Sequence, residues 1–289
     1  MTFKRKASNT AGAAYALISL IRPINAAMTF FGVVVGGMLA AVEWSAATRI
    51  LIAAGAGFLL ASAGNTVNDI FDIEIDRINK PYRALASGKV SVRTAIVWGT
   101  VCASGGLILG ALAGAQSFVF ALASFTLAFV YNSRMKRVPL AGNAIVAFLT
   151  GCPLLYGSLV AGKPEAGIIA AAFAFLMNFA REILKDIEDL EGDKACGVFT
   201  FPARHGIKAA LMIASVLLMV TAGSSLLPFF FGIYGELYFW MVLIGIDSVL
   251  ILLTFVLWRT PAASTISRIC VVLKYDMALG LFALLLGSR

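Results

Sequence analysis

Charge is scarce in this sequence. Only 13% of the 289 residues are Asp, Glu, Lys or Arg, against 60% in the hydrophobic set, whereas soluble domains carry about 25% charged and 45–50% apolar residues. That shortage excludes a water-soluble globular protein, and so apolar a chain has too much surface to bury to stay disordered. Cysteine is sparse and badly spaced for bridging. Cys102, Cys152, Cys196 and Cys270 lie far apart with no CxxC pair, which speaks against a disulfide framework or zinc site and for buried, inert thiols. The single histidine, His205, follows Arg204 in a loop with no ligand partner in spacing, so a general-base role for it is disfavoured. Acid is the rarer charge: 15 Asp and Glu against 23 Lys and Arg, a net charge of +8. Such an excess can mark a nucleic-acid binder, but in a membrane protein it collects in cytoplasmic loops, and no nucleic-acid partner is expected.

What the chain has in plenty is long apolar runs. Interrupted by charge or Pro/Gly, they predict an all-α, polytopic membrane bundle of about nine spans, at 24–42, 47–69, 92–114, 117–131, 141–161, 165–185, 208–227, 236–258 and 269–287, each near the ~20 residues that cross a bilayer. The first run comes after Arg22-Pro23 and lacks a small-residue cleavage signature, so it reads as a retained helix and not a removed signal. With nine spans, every Lys and Arg except Arg49, Lys163 and Arg289 falls on the side of the N-terminus, which the positive-inside rule makes cytoplasmic. Gly32 to Gly37 and Gly105-Gly106 invite close helix packing.

Ten of the 15 carboxylates sit in two short stretches: Asp69, Asp72, Glu74 and Asp76 close the second span, and Glu182, Asp186, Glu188, Asp189, Glu191 and Asp193 close the sixth. Asp69, Asp72 and Asp76, and likewise Asp186, Asp189 and Asp193, share the spacing D-x-x-D-x-x-x-D, an internal repeat that predicts two related halves with a site between them. On a helix these positions fall within about 60° of one another. Asn65 and Asn68 extend the first polar face backward, Asn178 and Glu182 the second. So dense a ladder of acids needs cations, and hard oxygen ligands in this number suit Mg²⁺, which binds through one or two carboxylates plus substrate phosphates. Arg77, Lys80 and Arg83 follow the first cluster, and Lys185 and Lys194 flank the second; acids for a metal beside bases for an anion match a diphosphate.

N-D-x-x-D-x-x-x-D from Asn68, R-x-x-K-P-x-R from Arg77 to Arg83 and the second D-x-x-D-x-x-x-D from Asp186 resemble the UbiA superfamily of intramembrane prenyltransferases over essentially the whole chain. The resemblance implies one transmembrane prenyltransferase domain over 1–289, with acidic motifs at 65–83 and 178–194. It also implies transfer of an isoprenoid from its diphosphate, with Mg²⁺ between the motifs and an allylic cation forming as diphosphate leaves. Arg22-Pro23-Ile24-Asn25, Gly64 to Asp69, Tyr131-Asn132 with Lys136-Arg137, Gly142-Asn143, Arg181 to Asp193 and Thr200-Phe201-Pro202 resemble its archaeal lipid-forming branch. That branch implies geranylgeranyl diphosphate as donor and the sn-2 hydroxyl of geranylgeranylglyceryl phosphate as acceptor. Ala84 departs from the family, which usually closes K-P-x-R-P with proline.

By that resemblance Asn68, Asp69, Asp72, Asp76, Asp186, Asp189 and Asp193 are the candidate metal ligands. Asp72, Asp76, Asp189, Asp193 and Lys136 are the candidate catalytic groups. Arg22, Asn25, Asn65, Asn68, Arg77, Lys80, Arg83, Tyr131 and Lys185 are the candidate substrate-binding residues, the Tyr131 ring leaning on the cation. Glu43, Glu165 and Glu236 are expected to stay solvated at opposite-side helix ends, and mid-span Asp247 to face the bundle. The shared motifs leave an aromatic prenyltransferase of quinone, haem O or chlorophyll synthesis open as an alternative, and repeated acids leave a cation transporter as a remote one. The expected surroundings are membrane lipid, a prenyl diphosphate and a lipid-like acceptor, in the cell membrane, with N-terminus and active site on the cytoplasmic side.

Overall fold

A computed structural model describes residues 15–40, 44–195 and 197–287. Lys4, Arg5, Lys6, Glu43, Cys196 and Arg289 lie outside the described residues. The chain runs through α1 (Pro23–Leu39), α2 (Trp44–Phe71), the short α3 (Ile73–Asn79), α4 (Val92–Leu112), α5 (Ala115–Ser133), α6 (Ala141–Val160), α7 (Ile168–Glu188), the short α8 (Leu190–Ala195) and α9 (Phe201–His205), α10 (Ile207–Ser225), α11 (Glu236–Arg259) and α12 (Ala263–Gly287). No strand occurs among the described residues. Eight helices are long and apolar enough to cross a membrane, and α1 is a shorter apolar ninth, so each expected span has its helix. The protein is a multi-pass membrane protein.

Local chemistry places the helix ends. Pro23, whose missing N–H costs nothing in a first turn, opens α1. Ser91 caps α4 by accepting the Thr94 N–H at 3.1 Å. Gly114, at φ 128°, makes the tight link from α4 to α5 in a backbone region that side chains disfavour. α11 contains a wider π-helical turn, Met241–Asp247, which hydropathy does not encode.

Lipid offers no hydrophobic drive for helices to associate, so packing depends on small residues that let backbones approach. α1 and α6 meet in this way: a Cβ on Gly36 would overlap the Leu154 carbonyl, and one on Gly157 the Val33 carbonyl. One buried cluster joins α7, α10, α11 and α12 through Ile183, Leu184, Leu218, Leu250 and Leu273. A second, richer in alanine, joins α1, α2, α5 and α6 through Val33, Ala53, Ala54, Ala121 and Tyr156. Phe31, Leu51, Val97, Ile108, Val119, Ile251 and Phe255 stay exposed on the outside, the apolar belt a lipid-facing surface requires. Cys102, Cys152 and Cys270 are buried and free.

Candidate active site

The two acidic helices end alike. α2 breaks at Asp72 before α3, and α7 breaks at Asp189 before α8. The two aspartates adopt nearly the same backbone conformation, φ −99°, ψ 7° and φ −90°, ψ 6°. Helical hydrogen bonding continues across both breaks, from Asp72 N–H to Asn68 O at 3.0 Å and Asp76 N–H to Asp72 O at 2.7 Å, and from Asp189 N–H to Lys185 O at 2.9 Å and Asp193 N–H to Asp189 O at 3.0 Å. The sequence repeat is therefore also a repeat of backbone geometry, and the helical register that aligns the carboxylates survives the break. The two motifs meet where α3 packs on α8: a Cβ on Gly192 would overlap the Asn79 side chain.

Basic side chains from other segments hold the first motif. Arg22 donates to Asn68 Oδ1 at 2.9 Å and pairs with Asp69. Arg83 pairs with Asp76 at 2.6 Å and Asp69 at 3.3 Å, and Lys136 pairs with Asp72. Two of these cations lie beside strained backbone. Arg22 itself has φ 47°, and Leu140, between Lys136 and α6, has φ 60°, positions that cost non-glycine residues about 1–3 kcal/mol and cluster at functional sites. The second motif is held more loosely. Asn143 donates to Asp186 at 2.9 Å, Lys80 reaches across from the first motif to Asp189 at 2.9 Å, and Asp193 has Asp189, Lys136, Lys80 and Asp72 as charged neighbours. Burial, then the charge of Asp189, pushes the Asp193 carboxyl up to about 6. Burial also raises Asp76 above the ordinary carboxylate value, with Arg83 opposing it.

The first motif's three carboxylates are ion-paired with three cations, whereas among the described residues Lys80 is the one cation ion-paired to the second motif's three, Lys136 and Lys185 acting there only from farther away. The deficit of two charges suits one divalent cation. Among the described residues no three acidic, His or Cys side chains converge closely enough to hold an ion by themselves. The donor set therefore fits Mg²⁺ completed by substrate phosphate, not an all-protein cage.

Beside this polar layer lies a cavity of about 480 Å³, within the usual range for a ligand site. Arg22, Asn25, Asn65, Asn68, Tyr131 and Lys185 line its polar end, while Met28, Leu60, Phe120, Phe125, Phe173 and Leu281 are among the apolar residues lining it. Tyr131 lies within the electrostatic reach of Asp72, Glu182, Asp186 and Asp193. Asn65 donates to Ile21 O at 3.0 Å, tying the entry to α1 onto α2.

Most sequence-predicted residues come together here, but Arg77 does not. It is exposed and pairs with Glu74, one helical turn back, at 2.8 Å. His205 is exposed against the Phe201 ring, and Glu165 and Glu236 are exposed as expected. Asp247 is buried and accepts from Ser225 at 2.9 Å. Lys274 and Arg181 line the cavity, though neither is among the expected site residues and Arg181 enters only within the stretch that resembles the archaeal branch. Their signal was available: a charge inside an apolar span is costly and marks a site.

The UbiA prenyltransferase family matches residues 29–275. This chain belongs to that family. Its UbiA relatives include the digeranylgeranylglyceryl phosphate synthase of Thermococcus sibiricus, 36% identical over 271 residues, or 94% of this chain and 96% of the relative. A solved digeranylgeranylglyceryl phosphate synthase is 30% identical, covers 96% of this chain and 98% of its own, and superposes with a TM-score of 0.76. A UbiA homologue from Archaeoglobus fulgidus bound to GPP and Mg²⁺ shares the fold at 17% identity and a TM-score of 0.63, covering 93% of this chain and 99% of its own. The UbiA chain described here is a prenyltransferase, which sets the transporter reading aside.

Proposed function

We propose that this UbiA enzyme transfers a geranylgeranyl group from geranylgeranyl diphosphate to the sn-2 hydroxyl of geranylgeranylglyceryl phosphate, in archaeal ether-lipid synthesis, with the reaction on the cytoplasmic side. The observation that carries the reading is the joining of two acidic motifs by Lys80 beside an apolar cavity. One end takes a diphosphate and the other a long isoprenoid tail. The names of the digeranylgeranylglyceryl phosphate synthases it resembles support the acceptor, and the Mg²⁺ and GPP in the Archaeoglobus homologue support the metal and the donor class.

Asp72 and Asp76 from one motif and Asp189 and Asp193 from the other hold Mg²⁺, which when bound neutralises charge on the departing diphosphate. Lys136, Lys80 and Arg83 turn charged N–H groups toward that oxygen cluster, where they gain most as its charge develops. Asn68, oriented by Arg22 and donating to Asn132 at 2.9 Å, fixes the head of the donor. The apolar wall excludes water from the allylic cation, and the Tyr131 ring faces it. The bond from C1 of the prenyl group to diphosphate breaks first, its electron pair leaving with diphosphate; the acceptor oxygen then bonds to C1 of the cation, and the hydroxyl proton passes to diphosphate or a nearby carboxylate.

The test is mass spectrometry after incubating the purified protein with geranylgeranyl diphosphate, Mg²⁺ and equal amounts of geranylgeranylglyceryl phosphate and 4-hydroxybenzoate. A digeranylgeranyl ether is expected. A prenylated benzoate would overturn the acceptor assignment and move the enzyme to quinone synthesis.

A further inference from the structure

The polar end of the cavity has a charge imbalance opposite to that of the acidic motifs. Its charged lining is Arg22, Arg181, Lys185 and Lys274 against Glu182 alone. Arg22 is already neutralised by Asp69. Glu182 accepts from Arg181 at 2.9 Å and Lys185 at 3.0 Å, so it cannot also neutralise Lys274, whose ammonium donates to the uncharged Asn25 Oδ1 at 3.0 Å. Lys274 lies well inside α12 and feels the like charges of Arg181, Lys185 and Arg22, opposed by the shared Glu182. Arg181 is tied by its Nε to Cys270 O of α12 at 3.3 Å, which holds its guanidinium between α7 and α12. Along the cavity three cations share one carboxylate, Glu182, while Asp186 also acts on Lys185 from outside the lining, so the uncompensated charge centres on Lys274. Such an arrangement is costly unless an anion completes it.

We propose that Arg181, Lys185 and Lys274 form a receptor for the phosphomonoester of the acceptor, separate from the metal and diphosphate layer. The inference rests on the proposed acceptor being a glyceryl phosphate. A phosphomonoester carries about −1.5 to −2 at pH 7 and matches the imbalance, whereas a benzoate carries half as much. The acidic motifs, deficient in positive charge, take the metal-bound donor; this cluster, deficient in negative charge, takes the metal-free phosphate. The opposite imbalances sort two anionic substrates into adjacent places, and Lys274 is the specificity-determining residue because the carboxylate beside it is already shared by two other cations.

The test compares kcat/KM for geranylgeranylglyceryl phosphate with that for geranylgeranylglycerol, which lacks the phosphate, at saturating donor. The ratio of the two is independent of how much of a variant folds. Wild type is expected to favour the phosphate ester, Lys274→Met to cut that preference about tenfold or more, as loss of one charge-assisted hydrogen bond implies, and Lys274→Arg to keep most of it. An unchanged ratio in Lys274→Met, or a wild type with no preference for the phosphate ester, overturns the inference and leaves the proposed function standing. Wild-type protein that prenylates neither glyceryl acceptor overturns both.

Discussion

Lys136 is the most informative single position, because its removal should affect metal and chemistry in opposite directions. Its ammonium pairs with Asp72 and faces Asp193, and the Lys136 and Asp72 side chains are only 27% and 8% exposed. A unit charge about 4 Å away, at the effective dielectric of such a partly buried site, interacts by about 4 kcal/mol. Removing one preorganised donor to a developing oxyanion costs about 2.7–4 kcal/mol, or 10²–10³ in kcat. Lys136→Met should therefore lower kcat for diphosphate release by roughly 10²–10³-fold. It should also lower the Mg²⁺ concentration for half-activity, since the metal no longer competes with an ammonium for Asp72. Titration of diphosphate release with Mg²⁺ at saturating donor reads both quantities. A kcat near that of wild type, or a higher Mg²⁺ requirement with kcat restored at saturation, would refute the reasoning and make Lys136 an organiser of the carboxylates.

Because no three acidic, His or Cys side chains among the described residues cage an ion, chelation should abolish turnover, and Mg²⁺ and donor should tighten each other's binding by roughly 5–150-fold, measured by calorimetry; Asp72→Asn and Asp189→Asn should lose that coupling together with turnover. Gly192→Ala should depress kcat without changing any charge, and Asn79→Ala in the same chain should restore part of it; a double variant no better than Gly192→Ala would show that the contact between α3 and α8 does not set the motif spacing. Ser225→Ala removes the hydrogen bonds to buried Asp247 and should cost about 1–3 kcal/mol in detergent unfolding. Asp276→Leu removes a buried carboxyl oxygen with no partner and should leave stability equal or higher, so a marked drop in melting temperature would contradict that reading.

The spans were legible because one physical quantity, uninterrupted apolar length, decides them, and α4, α5 and α6 begin and end within two residues of the expected limits. The acidic site was legible because spacing alone puts three carboxylates on one helical face. Their counter-ions were not. Lys80 finds Asp189 and Lys136 finds Asp72 across large sequence separations, and no local pattern states which helix faces which. Arg77 departs from expectation for the converse reason: its place in the motif suggests the site, but the acid it pairs with, Glu74, is a helical turn away on the solvent side. Lys274 was passed over because the positive-inside pattern absorbs any basic residue near a span end, although α12 starts at Ala263, six residues before the expected limit, and so carries that lysine deep into the bundle.

The repeat copies backbone but not electrostatics, and this asymmetry gives the site its chemistry. Two symmetric motifs, each fully paired with its own cations, would be neutral and would hold a metal poorly. Two unpaired motifs would repel each other across the contact between α3 and α8. Here the first motif is neutralised by Arg22, Arg83 and Lys136, all supplied from outside its helix, and so can be buried where α2 ends. The second keeps a neutral donor at Asp186 and a single borrowed cation at Asp189. That cation, Lys80, comes from the loop that follows the first motif, so the ion pair that joins the halves also leaves the second motif short by the charge of one divalent ion. The proposed substrate, a diphosphate accompanied by Mg²⁺, would thus be attracted to the seam where Lys80 joins the two motifs.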